Sequence, residues 1–139
     1  MVLAGEIATP PYSTSATSTS STSSFTTTET VTDTVTASLV NGHTYEVSHS
    51  GIWNSSVAGD DVSVRMREDS VSGTAMNGFD VRCASATRYY GVWVRARYTA
   101  SATGSKTFVV TGQRMAGSGN IIRAASSANP SLLTVTEVL

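Results

Sequence analysis

From Phe25 onward the chain alternates between apolar and polar residues. Val31, Val35, Ala37 and Leu39 hold odd positions between Thr32, Asp33, Thr34, Thr36 and Ser38, the period-two pattern of a strand with one buried face. Asn41-Gly42 follows, a dipeptide that accepts positive φ and predicts a tight hairpin turn. The next run, residues 43–54, sets Tyr45, Val47, Gly51 and Trp53 against polar neighbours and is expected to pair back on the first strand. Ala58-Gly59-Asp60-Asp61 predicts another turn, after which Val62, Val64 and Met66 alternate with Ser63, Arg65 and Arg67. A loop over 69–78 leads to a short strand at 79–85. The longest run, 88–102, places Tyr90, Val92, Val94, Ala96 and Tyr98 on one face and Tyr89, Trp93, Arg95 and Arg97 on the other. Gly104-Ser105 and Gly117-Ser118-Gly119-Asn120 bracket a further strand at 106–115. Runs at 121–125 and 132–139 close the chain, and the loop between them, containing Pro130, reads as a crossover between sheets. About eight short strands with regular turn signals predict an all-β fold, an antiparallel β-sandwich of jelly-roll type.

The first 24 residues follow a different rule. Pro10-Pro11-Tyr12 leads into Ser13 through Ser24, almost wholly Ser and Thr, a run too polar to bury a core by itself. Two organisational units are expected: a Ser/Thr-rich N-terminal arm over 1–24 and a β-sandwich domain over 25–139. The arm reads either as a flexible linker or as an ordered tether in which Ile7, Pro10, Pro11 and Tyr12 dock on a neighbouring subunit.

Composition reinforces the strand reading, because only 14% of residues are charged, against about 25% in an average domain, and no stretch repeats at helical spacing. A net charge of -1, with nine Lys and Arg residues scattered along the chain, offers no field to attract nucleic acid. No segment approaches the roughly 20 apolar residues that span a membrane. Met1 through Ile7 lacks the basic and apolar regions of a signal peptide, so synthesis in a cytoplasm is expected. Cys83 has no internal disulfide partner and reads as a small buried hydrophobe.

Candidate chemistry is sparse. His43 and His49 lie on one face of a predicted strand but about 20 Å apart, too far to share a metal ion, and read as surface or interface histidines. Asp60 and Asp61, near Glu68 and Asp69, are explained by turn formation rather than by a calcium site. Gly112, Gly117 and Gly119 lack the Lys and helix of a phosphate loop. Asp80 and Glu46 are the only carboxylates near aromatic positions that could attempt glycoside hydrolysis. The expectation is a non-enzymatic chain without cofactor or metal, whose working residues are the interface candidates Tyr89, Trp93, Arg95 and Arg97.

The turn and strand motifs Ser50-Gly51-Ile52, Ala58-Gly59-Asp60, Val62 through Arg67, Gly117 through Asn120 and Pro130 through Glu137 resemble a group of small virion structural proteins of tailed bacteriophages infecting actinobacteria. The resemblance spans residues 30–139 and carries no catalytic residues. It implies a jelly-roll-like domain in the virion, made in the host bacterium's cytoplasm, that trimerises or decorates the particle. Its partners would be its own copies and the major capsid protein or other virion proteins. A capsid decoration (cement) protein bound through its arm is the first functional expectation. The alternative is a minor tail or fibre-tip protein that binds a host-surface glycan, with the 69–78 loop as the contact. No collagen-like repeats or coiled-coil heptads precede the β-domain, which argues against a long fibre.

Overall fold

In the computed structural model residues 11–139 are described. The candidates Ile7 and Pro10 lie outside the described residues. The described residues form nine strands: β1 (Ser13–Ser18), β2 (Thr30–Leu39), β3 (Thr44–Ser55), β4 (Asp60–Glu68), β5 (Ala75–Cys83), β6 (Tyr90–Thr99), β7 (Gly104–Ala116), β8 (Ile121–Ala124) and β9 (Ser131–Val138). No helix occurs among the described residues. One sheet has the order β1-β9-β3-β6, with β8 also on β3, and the other has the order β2-β7-β4-β5. The antiparallel pairs are nested, β4 with β5, β3 with β6, β2 with β7 and β1 with β9. One long hairpin is thereby rolled across two sheets, which is the jelly-roll topology.

Alternation along each strand builds the core. Val35, Ala37 and Leu39 from β2, Val62, Val64 and Met66 from β4, and Phe108 and Val110 from β7 face Tyr45, Val47 and Trp53 from β3 and Leu133 and Val135 from β9. Trp53 is fully buried, with Phe25 packed against it edge-on at 6.2 Å. Gly112 closes this cluster, since a Cβ there would overlap the Trp53 ring and press on Phe25. Gly112→Ala is therefore expected to destabilise the fold by about 1–3 kcal/mol through overpacking, read as a lower urea midpoint with unchanged slope. A neutral outcome would mean that the ring has room to move.

The N-terminal segment departs from expectation. Ser13–Ser18 is not outside the sandwich: it is β1, paired in register with β9 from Ser13↔Thr136 to Ser18↔Ser131. Tyr12 packs against the core, edge-on to Tyr45 at 6.4 Å, and its hydroxyl accepts a bond from the Ser38 amide at 3.0 Å. The Ser/Thr run beyond β1 is held by β8. Thr22 N–H donates to the Arg123 carbonyl at 3.0 Å, and the Arg123 guanidinium donates to the Ser20 carbonyl at 3.0 Å. Backbone pairing, which needs no apolar side chain, orders what composition marks as an arm.

Two connections also differ. The Asn41-Gly42 turn forms, with His43 N–H donating to the Val40 carbonyl at 3.1 Å, but it passes the chain across the sandwich, because β2 and β3 belong to opposite sheets. The Tyr45 hydroxyl and Thr103 Oγ1 accept the Val40 and Asn41 amide bonds at 2.9 and 3.0 Å, replacing the ladder a hairpin would supply. Conversely, the Pro130 loop makes no crossover. β8 and β9 both pair with β3, at 52–55 and 44–50 respectively, so the loop bulges from one interrupted strand position.

Candidate functional site

β6 lies at the edge of the five-stranded sheet. Its inward positions Val92 and Val94 are buried, while Trp93 is 62% exposed and Arg95 and Arg97 are open to solvent. Tyr89, just before the strand, is 61% exposed. The registers fix what lies beside each. Trp93 faces Ser50, and Ser50 faces Leu132. Arg95 faces Ser48 and Arg97 faces Glu46. Gly91 faces Ile52.

Two neighbours on β6 define the environment of the indole. On one side the Arg95 guanidinium sits 4.9 Å from the ring centroid, a cation–π contact that covers one face of the ring. On the other side stands Gly91, where even an added Cβ would meet nothing within 4 Å. That notch leaves the second face of the indole open. It opens into a groove of about 400 Å³, floored by Ser50-Gly51-Ile52 and walled by Trp93 against Asn129, Pro130 and Leu132. A smaller depression continues past Ile52 and Asn129 to Tyr89. In the other direction, Arg95 and Arg97 line a third with Glu46. The result is a track along β6: Tyr89, a glycine notch, Trp93, then two arginines.

No protein-family model matches the chain, and no curated protein matches it in sequence. Solved structures resemble it in shape. A structure of the infectious bursal disease virus Gx strain aligns at 12% identity and TM-score 0.48, covering 91% of this chain and 36% of that one. The VP2 subviral particle of infectious bursal disease virus gives 12% and 0.48, covering 100% and 41%. A CBM4 structure gives 12% and 0.41, covering 76% and 59%. This chain thus spans less than two thirds of each of these chains. Likeness at this level carries nothing about task or partner.

The opposite face of the sandwich is occupied by ion pairs. Arg65 meets Asp80 at 2.8 Å, Arg67 meets Glu29 at 2.7 Å, Arg82 meets Asp61 at 3.1 Å, and Lys106 meets Glu68 and Asp69 at 2.9 and 2.8 Å. These contacts also pin the 69–78 loop, with Arg67 donating to the Gly73 carbonyl at 3.1 Å. Asp80 points outward from β5 and Glu46 from β3, which belong to different sheets, so the two carboxylates cannot flank one glycosidic bond. Of the N-terminal candidates, Pro11 is exposed and Tyr12 is fixed in its own subunit as described above.

Asp60 is no surface ligand. It is buried and accepts bonds from the Ser55 hydroxyl at 2.5 Å and from the Ser118 and Gly119 amides at 3.0 and 2.9 Å. Burial alone would raise its carboxyl pKa, but these donors hold it below the usual carboxylate range. Among the described residues no three His, Cys, Asp or Glu side chains gather closely enough to hold a metal ion. Cys83 is buried as expected, and burial raises its thiol pKa.

The histidines separate. His43 is exposed and pairs with Glu137. His49, expected at the surface, is fully buried directly under the groove floor, where a Cβ on Gly51 would sit 3.0 Å from its ring. Its Nδ1–H donates to the Leu132 carbonyl at 3.1 Å. Its position on the core-facing phase of β3 decides burial, and polarity does not override it. Burial pushes its pKa below the ordinary 6.5. Above that pH neither the folded nor the unfolded chain carries the proton; below about 6.5 the unfolded chain gains it first, so stability falls with acidification. Urea midpoints are expected to drop between about pH 7 and 5, and less so in His49→Leu. Equal slopes in both proteins would remove His49 as the cause.

Proposed function

We propose that the chain is a non-catalytic structural and binding module of a bacteriophage virion, engaging a host-surface glycan through the outer face of the five-stranded sheet. The carrying observation is the track on β6. It combines two exposed aromatics, an open indole face and a groove whose lining contains no carboxylate. Aromatic rings with a few convergent polar groups suit ligand capture, and the absence of a paired acid and base in the groove fits binding without turnover. The virion setting rests on the sequence resemblance. The open aromatic track favours the minor tail or fibre-tip role over particle cementing. The test is co-sedimentation of purified protein with insoluble host cell wall. Retention of the wild type and its loss in Trp93→Ala are expected, with immunolabelling of a few copies at the tail tip. Equal retention of both proteins would contradict this role for the face.

A capsid decoration protein is the second reading, favoured by the exposed Trp93-Arg95-Arg97 row, since Trp and Arg are enriched at protein interfaces. In that reading the row packs between protomers of a homotrimer and residues 1–11, including Ile7, Pro10 and Pro11, bind the major capsid protein. It predicts a trimer by light scattering that Trp93→Asp dissociates, and dense labelling over the head.

A further inference from the structure

Resting on the glycan reading above, we infer that the β6 track takes a linear anionic polysaccharide, with pyranose rings on Tyr89 and Trp93 and an acidic substituent at Arg97. Three observations converge. First, Tyr89 and Trp93 lie four residues apart along one line, about 13 Å at strand rise, and the depressions beside them share Ile52 and Asn129. A short run of saccharide rings bridges such a gap, whereas a single small ligand fills only one side. Second, the open indole face offers its negative quadrupole to the polarised C–H face of a pyranose, while the Ser50 hydroxyl and the Asn129 amide on the groove lining can meet the ring hydroxyls. Third, the exposed cations of β6 lack the close carboxylate partners that the exposed cations of the other sheet have among the described residues. On the four-stranded sheet Arg65, Arg67, Arg82 and Lys106 have carboxylates at 2.7–3.1 Å, and the half-buried Arg114 donates to the Gly119 carbonyl. On β6, Arg95 reaches Glu46 only at 4.0 Å. Arg97 has no ion-pair partner within 4.0 Å among the described residues.

A carboxylate or phosphate on the polymer would complete Arg97 with a charge-assisted, forked bond. Arg95 is already committed to the indole, so its part is to position Trp93. An extended proline-containing peptide could also stack on Trp93 but would have no use for the hydroxyl partners along the lining.

The experiment is affinity electrophoresis and calorimetry of the full chain with four probes: polygalacturonate, its methyl-esterified counterpart of equal length, a phosphomannan, and a proline-rich peptide. Binding to polygalacturonate or the phosphomannan is expected, the stronger of the two identifying carboxylate or phosphate as the preferred group. Esterification and Arg97→Gln should each weaken polygalacturonate binding about tenfold, and Trp93→Ala should abolish it. Circular dichroism of each variant checks that the fold is intact; Tyr89→Ala gives a second lesion outside β6. If the esterified polymer binds as well as the acid, the anionic inference fails while the glycan reading stands. If only the peptide binds, or no probe binds and cell-wall retention is also lost, both fail.

Discussion

Arg123→Met is expected to destabilise the protein by about 3–5 kcal/mol, the cost of leaving one member of a buried ion pair without its partner. Arg123 on β8 and Asp33 on β2 meet at 3.1 Å with only 3% of each side chain exposed. The same guanidinium donates to the Thr32 carbonyl at 3.1 Å and to the Ser20 carbonyl at 3.0 Å. It therefore joins the two sheets and also holds the Ser/Thr segment that follows β1. Removing it strands the Asp33 carboxylate in the core and frees that segment. Urea denaturation gives the magnitude, and limited proteolysis near Ser20 reads the second effect. The double variant Arg123→Met with Asp33→Leu should recover most of the loss, because a well-packed apolar pair often matches a buried ion pair. A double variant as unstable as the single one would show that the Ser20 and Thr32 bonds, rather than the charge pair, carry the effect.

Asp60→Ala is expected to cost a similar amount, about 3–5 kcal/mol, for a different reason. Three donors from two turns converge on one buried carboxylate. Each buried donor left unpaired costs about 1–3 kcal/mol. The neighbouring Asp61→Ala breaks only the exposed pair with Arg82 and should change stability by at most about 1 kcal/mol. Comparable losses in the two variants would mean that Asp60 does not link the β3–β4 turn to the β7–β8 turn. The sign of the pH effect follows as well. With its folded pKa held low, Asp60 contributes stability above the ordinary carboxylate value of 3.8. That contribution disappears as pH falls through the lower folded value.

Much of the sandwich is legible in period-two alternation, because burying one face of a strand writes itself into the sequence. β2, β3, β4, β6 and β9 are visible this way, and the division of β6 into a core face and an aromatic-arginine face is as the spacing predicts. β1 is not visible. Its residues STSATS have no apolar alternation beyond Ala16, and what orders them is backbone pairing with a strand more than a hundred positions away. The Asn41-Gly42 signal identifies a turn but not which sheet the chain enters next, since that depends on nested long-range pairs. The buried Arg123 and Asp33 are hidden too, because composition places charges outside and only their mutual pairing permits burial. Of the candidate site, the β6 residues could be read from spacing alone. Their groove partners Ile52, Asn129 and Pro130 come from other segments, and nothing local in the sequence marks them.

The chain's two tryptophans provide a direct test of the central claim that the outer β6 face is the binding surface. Trp53 is fully buried and Trp93 is 62% exposed, so acrylamide quenching of intrinsic fluorescence reports Trp93 almost alone. Titrated with solubilised host cell-surface polysaccharide, the protein is predicted to shift its emission to the blue and lose most of its quenching, while Trp93→Ala shows neither change. Polysaccharide that binds while Trp93 stays as quenchable as in the free protein would contradict the account.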